Sequence, residues 1–147
     1  MPKLAINKRA KFDYEFIEEY EGGLALTGAE VKSAKAGHVQ LKGAFVTLRD
    51  SELWLRNAYI SPYKPAGNQS DYDPYRDRKI LVHRRELNRL IGKTKEAGLT
   101  IVPFSLYTKG RIVKIGFALA RGKKKFEKRE TIKKRELDRQ IREKLKE

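Results

Sequence analysis

The stretch Leu99-Thr100-Ile101-Val102-Pro103-Phe104-Ser105-Leu106-Tyr107-Thr108-Lys109-Gly110-Arg111-Ile112-Val113-Lys114-Ile115-Gly116-Phe117-Ala118-Leu119 decides the fold class. Its first half, to Tyr107, reads as an extended apolar strand. Thr108-Lys109-Gly110 is turn chemistry. In the second half Val113, Ile115, Phe117 and Leu119 alternate with other residues, the period of a strand with one buried face. Two strands facing each other across a short turn predict a hairpin.

Working outward, His83 to Ala97 reads as a helix with Leu87, Leu90 and Ile91 as its buried stripe and Gly98 as its C-cap. Before it lies a polar loop, from Ser61 to about Lys79, rich in Pro, Gly, Asn and Asp. A loop this long in a small domain usually binds something or moves. Ala44–Leu48 and Leu53–Leu55 flank Asp50-Ser51 as a second hairpin, and Ala58–Ile60 extends it until Pro62. Thr27-Gly28-Ala29-Glu30 has the form of a capping box, opening a short helix that ends at Gly37. Phe12, Tyr14 and Phe16 alternate with polar residues, so the segment to Tyr20 reads as a half-buried strand. Gly22-Gly23 reads as a turn or bulge before Leu24-Ala25-Leu26. The sum is about six short strands and two helices, which predicts a small closed or partly open barrel.

The last 27 residues differ from the rest. Arg121–Glu147 holds 13 Lys/Arg against 6 Asp/Glu. Its large apolar residues are Phe126, Ile132, Leu137, Ile141 and Leu145. That is too little apolar surface to offset the entropy of ordering the segment alone. Leu137, Ile141 and Leu145 lie four apart, so a helix places them on one face. The expected organisation is a body, residues 1–120, and a basic tail, residues 121–147, disordered when free.

The whole chain of 147 residues carries a formal net charge of +15. Such a field attracts an anionic partner. No apolar run approaches the roughly 18 residues of a membrane span, so nucleic acid is the expected partner and no membrane is. The N-terminus lacks the apolar core of a secretory signal. With no cysteine there is no disulfide framework or thiolate metal site. These features fit a cytoplasmic protein. No long apolar patch suggests a dimer, so a monomer is expected.

Enzymatic motifs fail on inspection. Ile91-Gly92-Lys93-Thr94 resembles the end of a phosphate-binding loop, but the required earlier glycine is Leu87. Asp71, Asp73 and Asp77 resemble a calcium loop, but its glycine position is Arg76 and its terminal acid is Val82. His38 and His83 have no nucleophile nearby in sequence. No catalytic residue, metal or cofactor is expected, and the chain reads as a binding protein.

Its cations cluster in three places. Lys8, Arg9 and Lys11 precede the first strand. Arg76, Arg78 and Lys79 close the long loop, with Arg84 and Arg85 at the next helix start. A helix N-terminus adds free N–H donors and partial positive charge for an anion. Tyr72 and Tyr75 interleave as planar groups for stacking on a base or packing on Arg. The third cluster is the tail.

Several motifs, in order, resemble the small protein B family, the SsrA-binding proteins of bacteria. They are Asn7-Lys8-Arg9-Ala10, Leu26-Thr27-Gly28-Ala29-Glu30-Val31-Lys32-Ser33, Ala36-Gly37, Ile60-Ser61-Pro62-Tyr63 and Asp73-Pro74. Arg78-Lys79-Ile80-Leu81, Ile91-Gly92-Lys93, Ala120-Arg121-Gly122-Lys123-Lys124-Lys125 and Lys128-Arg129 follow. The resemblance implies a mainly β fold: a six-stranded antiparallel OB-like barrel with two to three helices and a basic tail. It implies binding to the tRNA-like domain of transfer-messenger RNA, and delivery of that RNA to the A site of stalled ribosomes in trans-translation. It implies that the tail meets small-subunit RNA at the decoding site and mRNA channel and becomes helical there.

By the same resemblance, RNA contact falls on Asn7, Lys8, Arg9, Glu30, Lys32, Ser33, Arg78 and Lys79, to which the cation cluster adds Arg76 and Arg84. Ribosome contact falls on Lys123, Lys124, Lys125, Phe126, Lys128 and Arg129. Phe126-Glu127 stands where the family often has a His-Asp or aromatic-acid pair, so stacking is the expected use of Phe126. Glu30 lies on the family's glutamate as well as in the capping box. If its charge organises RNA contact, Glu30→Gln should fold normally and bind RNA poorly. The competing readings are a basic structural protein of the ribosome and a nonspecific OB-type binder of single-stranded RNA.

Overall fold

From the N-terminus, β1 (Lys3–Ile6) leads through the one-turn helix α1 (Ala10–Asp13) into the long β2 (Tyr14–Leu24). Helix α2 (Gly28–Lys35), β3 (Val39–Gln40), the hairpin β4 (Phe45–Arg49) and β5 (Glu52–Arg56), and β6 (Tyr59–Ile60) follow. After the long loop come β7 (Arg78–Leu81), α3 (Arg84–Lys93), the hairpin β8 (Leu99–Lys109) and β9 (Ile112–Gly122), and the tail helix α4 (Lys125–Lys146). This computed structural model describes residues 3–67, 71–123 and 125–146.

The β8–β9 hairpin is the spine, as its alternation predicts. Its two eleven-residue strands pair from Leu99↔Arg121 to Lys109↔Ile112. The full antiparallel sheet runs β1-β8-β9-β2-β7-β5-β4, with β3 and β6 as a separate two-stranded pair. Register breaks at Phe16/Glu18 and Pro103/Ser105 bend the long strands, since a bulge raises local twist. The curl brings β4 beside β8, with Cα atoms within 8 Å. No ladder joins β1 and β4, the two ends of the sheet, among the described residues. Where the sequence predicts a small barrel of about six strands, closed or partly open, the structure has an open, curled seven-stranded sheet with a small second sheet. The strand count differs because β1, β3 and β7 are too short for a visible period, and β7 opens inside the stretch that reads as polar loop.

Val113, Ile115, Phe117 and Leu119 are all buried, as their spacing requires. So are Ala118 and Ala120 on the opposite face. A second cluster of Ala10, Val102 and Ala120, with Tyr14, Phe16 and Phe104 against it, covers that side. The central strand is thus covered on both faces.

Gly22-Gly23 is not a turn. Both residues lie inside β2, where its pairing passes from β9 to β7. A Cβ on Gly22 would come 2.8 Å from Ile80 Cγ2 and 3.1 Å from the Leu81 carbonyl oxygen. The glycine permits this close approach of strands, so its signal was one of packing. Phe12 sits in α1, not in a strand. Helix α3 ends at Lys93, earlier than its expected end at Ala97. There the Thr94 hydroxyl donates back to the Leu90 and Ile91 carbonyls.

Candidate nucleic-acid interface

Thr27 caps α2 as the sequence predicts. Its Oγ1 accepts from the Glu30 N–H at 3.2 Å, and Glu30 Oε1 accepts from the Thr27 N–H at 3.0 Å. The same carboxylate is also the centre of a buried polar knot. Glu30 is 1% exposed and Arg78 fully buried. Arg78 Nε and Nη2 donate to Glu30 Oε2 at 2.8 and 2.7 Å. Its Nη1 donates to the Ala58 carbonyl at 2.6 Å, and Nη2 also reaches the Pro74 carbonyl at 3.0 Å. Arg76 forks onto the same carboxylate through Nε, at 3.1 Å, and Nη2. The Tyr72 hydroxyl accepts from Arg78 Nη2 at 2.9 Å. It lies 3.0 Å from Glu30 Oε2 and 2.9 Å from the Ile60 carbonyl oxygen, to either of which it donates.

Burial works against ionisation of Glu30. Hydrogen bonds from Arg76, the Thr27 N–H and Arg78 outweigh it and hold the carboxyl at about 2. Burial likewise pushes the Tyr72 hydroxyl up to about 12. The knot is therefore an ionised carboxylate between two guanidiniums with every Arg78 nitrogen occupied. It ties α2, β6 and the end of the long loop to β7. The Ser33 hydroxyl adds a second tie, donating to the Ser61 carbonyl at 2.7 Å.

Three of the residues expected at the RNA, Glu30, Ser33 and Arg78, are buried, with their polar atoms committed to partners within the fold. Arg76 keeps 35% of its side chain exposed while bound to Glu30. Asn7 is committed too, its Nδ2 donating to the Pro103 carbonyl at 3.1 Å. The remaining predicted cations lie at the surface. Lys8, Arg9, Lys32 and Arg84 are exposed. Arg9 lies 4.6 Å over the Phe12 ring and Lys32 5.8 Å over the Tyr63 ring. Lys79 is partly exposed and pairs with Glu52 at 3.2 Å. Tyr72 is half-buried with its hydroxyl tied into the knot, while Tyr75 is exposed and packs its ring 5.2 Å from that of Tyr59.

In the tail, the Lys123 N–H donates to the Asp13 carbonyl at 2.8 Å, fixing where α4 departs. Arg121 and Gly122, the first residues of the expected tail, belong to β9. Lys124 lies outside the described residues, as do the side chains of Lys125, Phe126 and Lys128; Arg129 is exposed. Leu137, Ile141 and Leu145 are 57%, 49% and 80% exposed, so the apolar stripe of α4 has no cover from the body.

Other surface groupings escaped the sequence reading. Arg49 stacks 4.5 Å over Trp54, Arg56 5.6 Å over Phe45, and both guanidiniums reach Asp77. Trp54 Nε1 is buried with no hydrogen-bond partner among the described residues. Arg89 forks onto Glu18, whose carboxyl it holds near 2 with help from Tyr20. The Tyr107 hydroxyl donates to Glu21. The two cation–ring contacts lie within the β4–β5 hairpin, whereas the Asp77, Arg89–Glu18 and Tyr107–Glu21 contacts join segments distant in sequence, which no local spacing signals.

Among the described residues no group of three or more His, Cys, Asp or Glu could hold a metal ion. Among the described residues no helix is long and apolar enough to cross a membrane. The chain is similar to the SsrA-binding protein of Sulfurihydrogenibium sp. (strain YO3AOP1), with 50% identity over 94% of this chain and 90% of that one. The SsrA-binding protein of Geobacillus kaustophilus (strain HTA426) is 49% identical over 96% of this chain and 94% of its own. Among solved structures, a chain from "tmRNA-SmpB: a journey to the center of the bacterial ribosome" superposes with a TM-score of 0.65 at 48% identity. It covers 82% of this chain and 84% of that one. The family model described as SmpB protein matches residues 4–147. That span takes in the capped helix, the buried knot and the basic tail together, and on it the chain belongs to the SmpB protein family.

Proposed function

We propose that this protein binds transfer-messenger RNA through its tRNA-like domain and carries it to the A site of stalled ribosomes in trans-translation, in the cytoplasm and without catalysis of its own. The observation that carries this reading is the family match over residues 4–147, which includes a tail of 13 basic and 6 acidic residues. The body's curled antiparallel sheet supports an OB-like architecture. Its exposed cations Lys8, Arg9, Lys32 and Arg84, with the partly exposed Lys79, serve as the phosphate contacts. The knot holds the α2 end and the long loop in a fixed relation for that surface.

In this reading α4 is a marginal helix in the free protein. Its apolar stripe is uncovered, and helices in proteins draw most of their stability from packing such a face. It orders fully along ribosomal RNA, where Lys123, Lys124, Lys125, Lys128 and Arg129 contact phosphates and Phe126 stacks on a base.

The test is to sequence the RNA that copurifies with the protein. Transfer-messenger RNA should dominate the tightly bound fraction, and a random RNA population would overturn the reading. Cutting the chain after Lys123, which leaves β9 whole, should spare affinity for the tRNA-like RNA and abolish tagging of nascent chains. Replacing Lys8 and Arg9 with Ala should flatten the salt dependence of that affinity by about 1–2 logarithmic units, by counterion release.

A further inference from the structure

We propose that a cavity between β1, β8 and α4 is a nucleotide pocket for one unpaired residue of an RNA strand, built jointly by the body and the tail. It rests on the RNA-binding reading above and extends it to a second, single-strand subsite.

The cavity measures about 470 Å³, within the range of small-ligand sites. Lys3, Lys8, Lys11 and the tail's Arg135 line it, and no carboxylate does. None of these four makes an ion pair among the described residues, whereas Arg49, Arg56, Lys79, Arg89, Lys93 and Lys109 all do. Four like charges around one concavity repel each other, and an anion in it relieves that repulsion.

The floor is apolar and aromatic, which a bare phosphate would not need. Ile6, Phe104 and Tyr107 form it, and Ile6 is 52% exposed. The Phe104 ring is held rigidly. It packs 5.3 Å from the Phe16 ring at 34°, and a Cβ on Gly116 would come 2.8 Å from it. The rim is anchored as well. The Asn7 N–H donates to the Phe104 carbonyl at 2.9 Å, and Lys3 pairs with Tyr107 across the β1–β8 ladder.

A planar base fits over such a floor while its phosphate meets the cations. A base in a duplex cannot enter a cavity this small, so the ligand is an unstacked, single-stranded residue. Arg135 also lies 5.8 Å over the Phe12 ring, which draws α4 toward α1. A nucleotide in the pocket would therefore hold the tail against the body.

The experiment is fluorescence anisotropy of a labelled pentauridylate against the full-length protein over a series of salt concentrations. Lys3→Ala with Lys11→Ala should weaken binding and flatten the salt slope by about 1.4, at about 0.7 per single-strand phosphate contact. Arg135→Ala alone should weaken it several-fold, because the tail completes the site. A pentamer of the same backbone without bases should bind about 5- to 150-fold more weakly, the range expected from loss of one stacked base. Unchanged affinity and slope in both variants would overturn the pocket. Equal binding of the baseless pentamer would overturn the nucleotide assignment. Affinity of the wild type for the tRNA-like RNA, measured alongside, reads the underlying function separately, and its absence would sink that function while the pentauridylate arm still judges the pocket.

Discussion

The knot around Glu30 and the tail helix α4 use the same residue types for opposite ends. Both are rich in Arg and Glu, and both lie in segments that composition marks for RNA. In the knot the charges face inward, with Arg78 and Glu30 buried and each donor matched to an acceptor. On α4 the described charges face water along with Leu137, Ile141 and Leu145. A basic cluster is therefore two different devices depending on whether a carboxylate from elsewhere in the fold reaches it. The first organises a surface and the second offers one.

The largest expected effect lies in the knot. Glu30→Gln keeps the capping box, since Gln closes it equally, but leaves Arg78 charged and buried without its counterion. Breaking one side of a buried pair costs about 3–5 kcal/mol. Urea unfolding should show a loss of that order, which replaces the sequence-based expectation of normal folding for this variant. A loss below about 1 kcal/mol, the scale of an exposed pair, would erase the distinction between the two regions.

The same pair carries a pH signature. Glu30 is held at about 2, below its ordinary 4.5. A depressed carboxyl contributes stability that is fully present above its unfolded value and is lost as pH falls toward the folded one. The difference in melting temperature between wild type and Glu30→Gln should hold steady from pH 7 to about 5, then narrow toward pH 2. A gap that stays constant down to pH 2.5 would show that ionisation of Glu30 is not what the knot depends on.

In the tail the expected effects fall on function. Base–aromatic stacking is worth about 1–3 kcal/mol, so Phe126→Ala should reduce tagging on stalled ribosomes more than Ile132→Ala does. Affinity for isolated tRNA-like RNA should be unchanged. Equal tagging by Phe126→Ala and wild type at matched protein levels would remove the stacking role.

Smallest is the expected effect of the exposed stripe on the free protein. Leu137→Ala with Ile141→Ala should leave urea stability within about 0.5 kcal/mol of wild type, as for surface substitutions. A loss near 2 kcal/mol would mean that the stripe packs on something in solution, and α4 would then resemble the body more than a free arm.

Local rules determined a good deal of this protein. The alternation of Val113, Ile115, Phe117 and Leu119 and the box of Thr27 and Glu30 appear in the structure where the sequence puts them. Each depends on residues within a few positions, so period and capping suffice to see it. Arg78 shows the limit. Beside Arg76 and Lys79 it reads as one more surface cation. Its strand period, which sets it on the same face as buried Ile80, was the available signal. What decides its role is a carboxylate 48 positions away, and sequence spacing cannot measure that distance. Gly22 is likewise explained only by the passage of β7. The sequence by itself determined the hairpins, the helix starts, the charge and the family motifs, because these follow from local backbone and side-chain preference. Only the tertiary structure decided which cations are buried, because desolvation and pairing depend on how distant strands curl together.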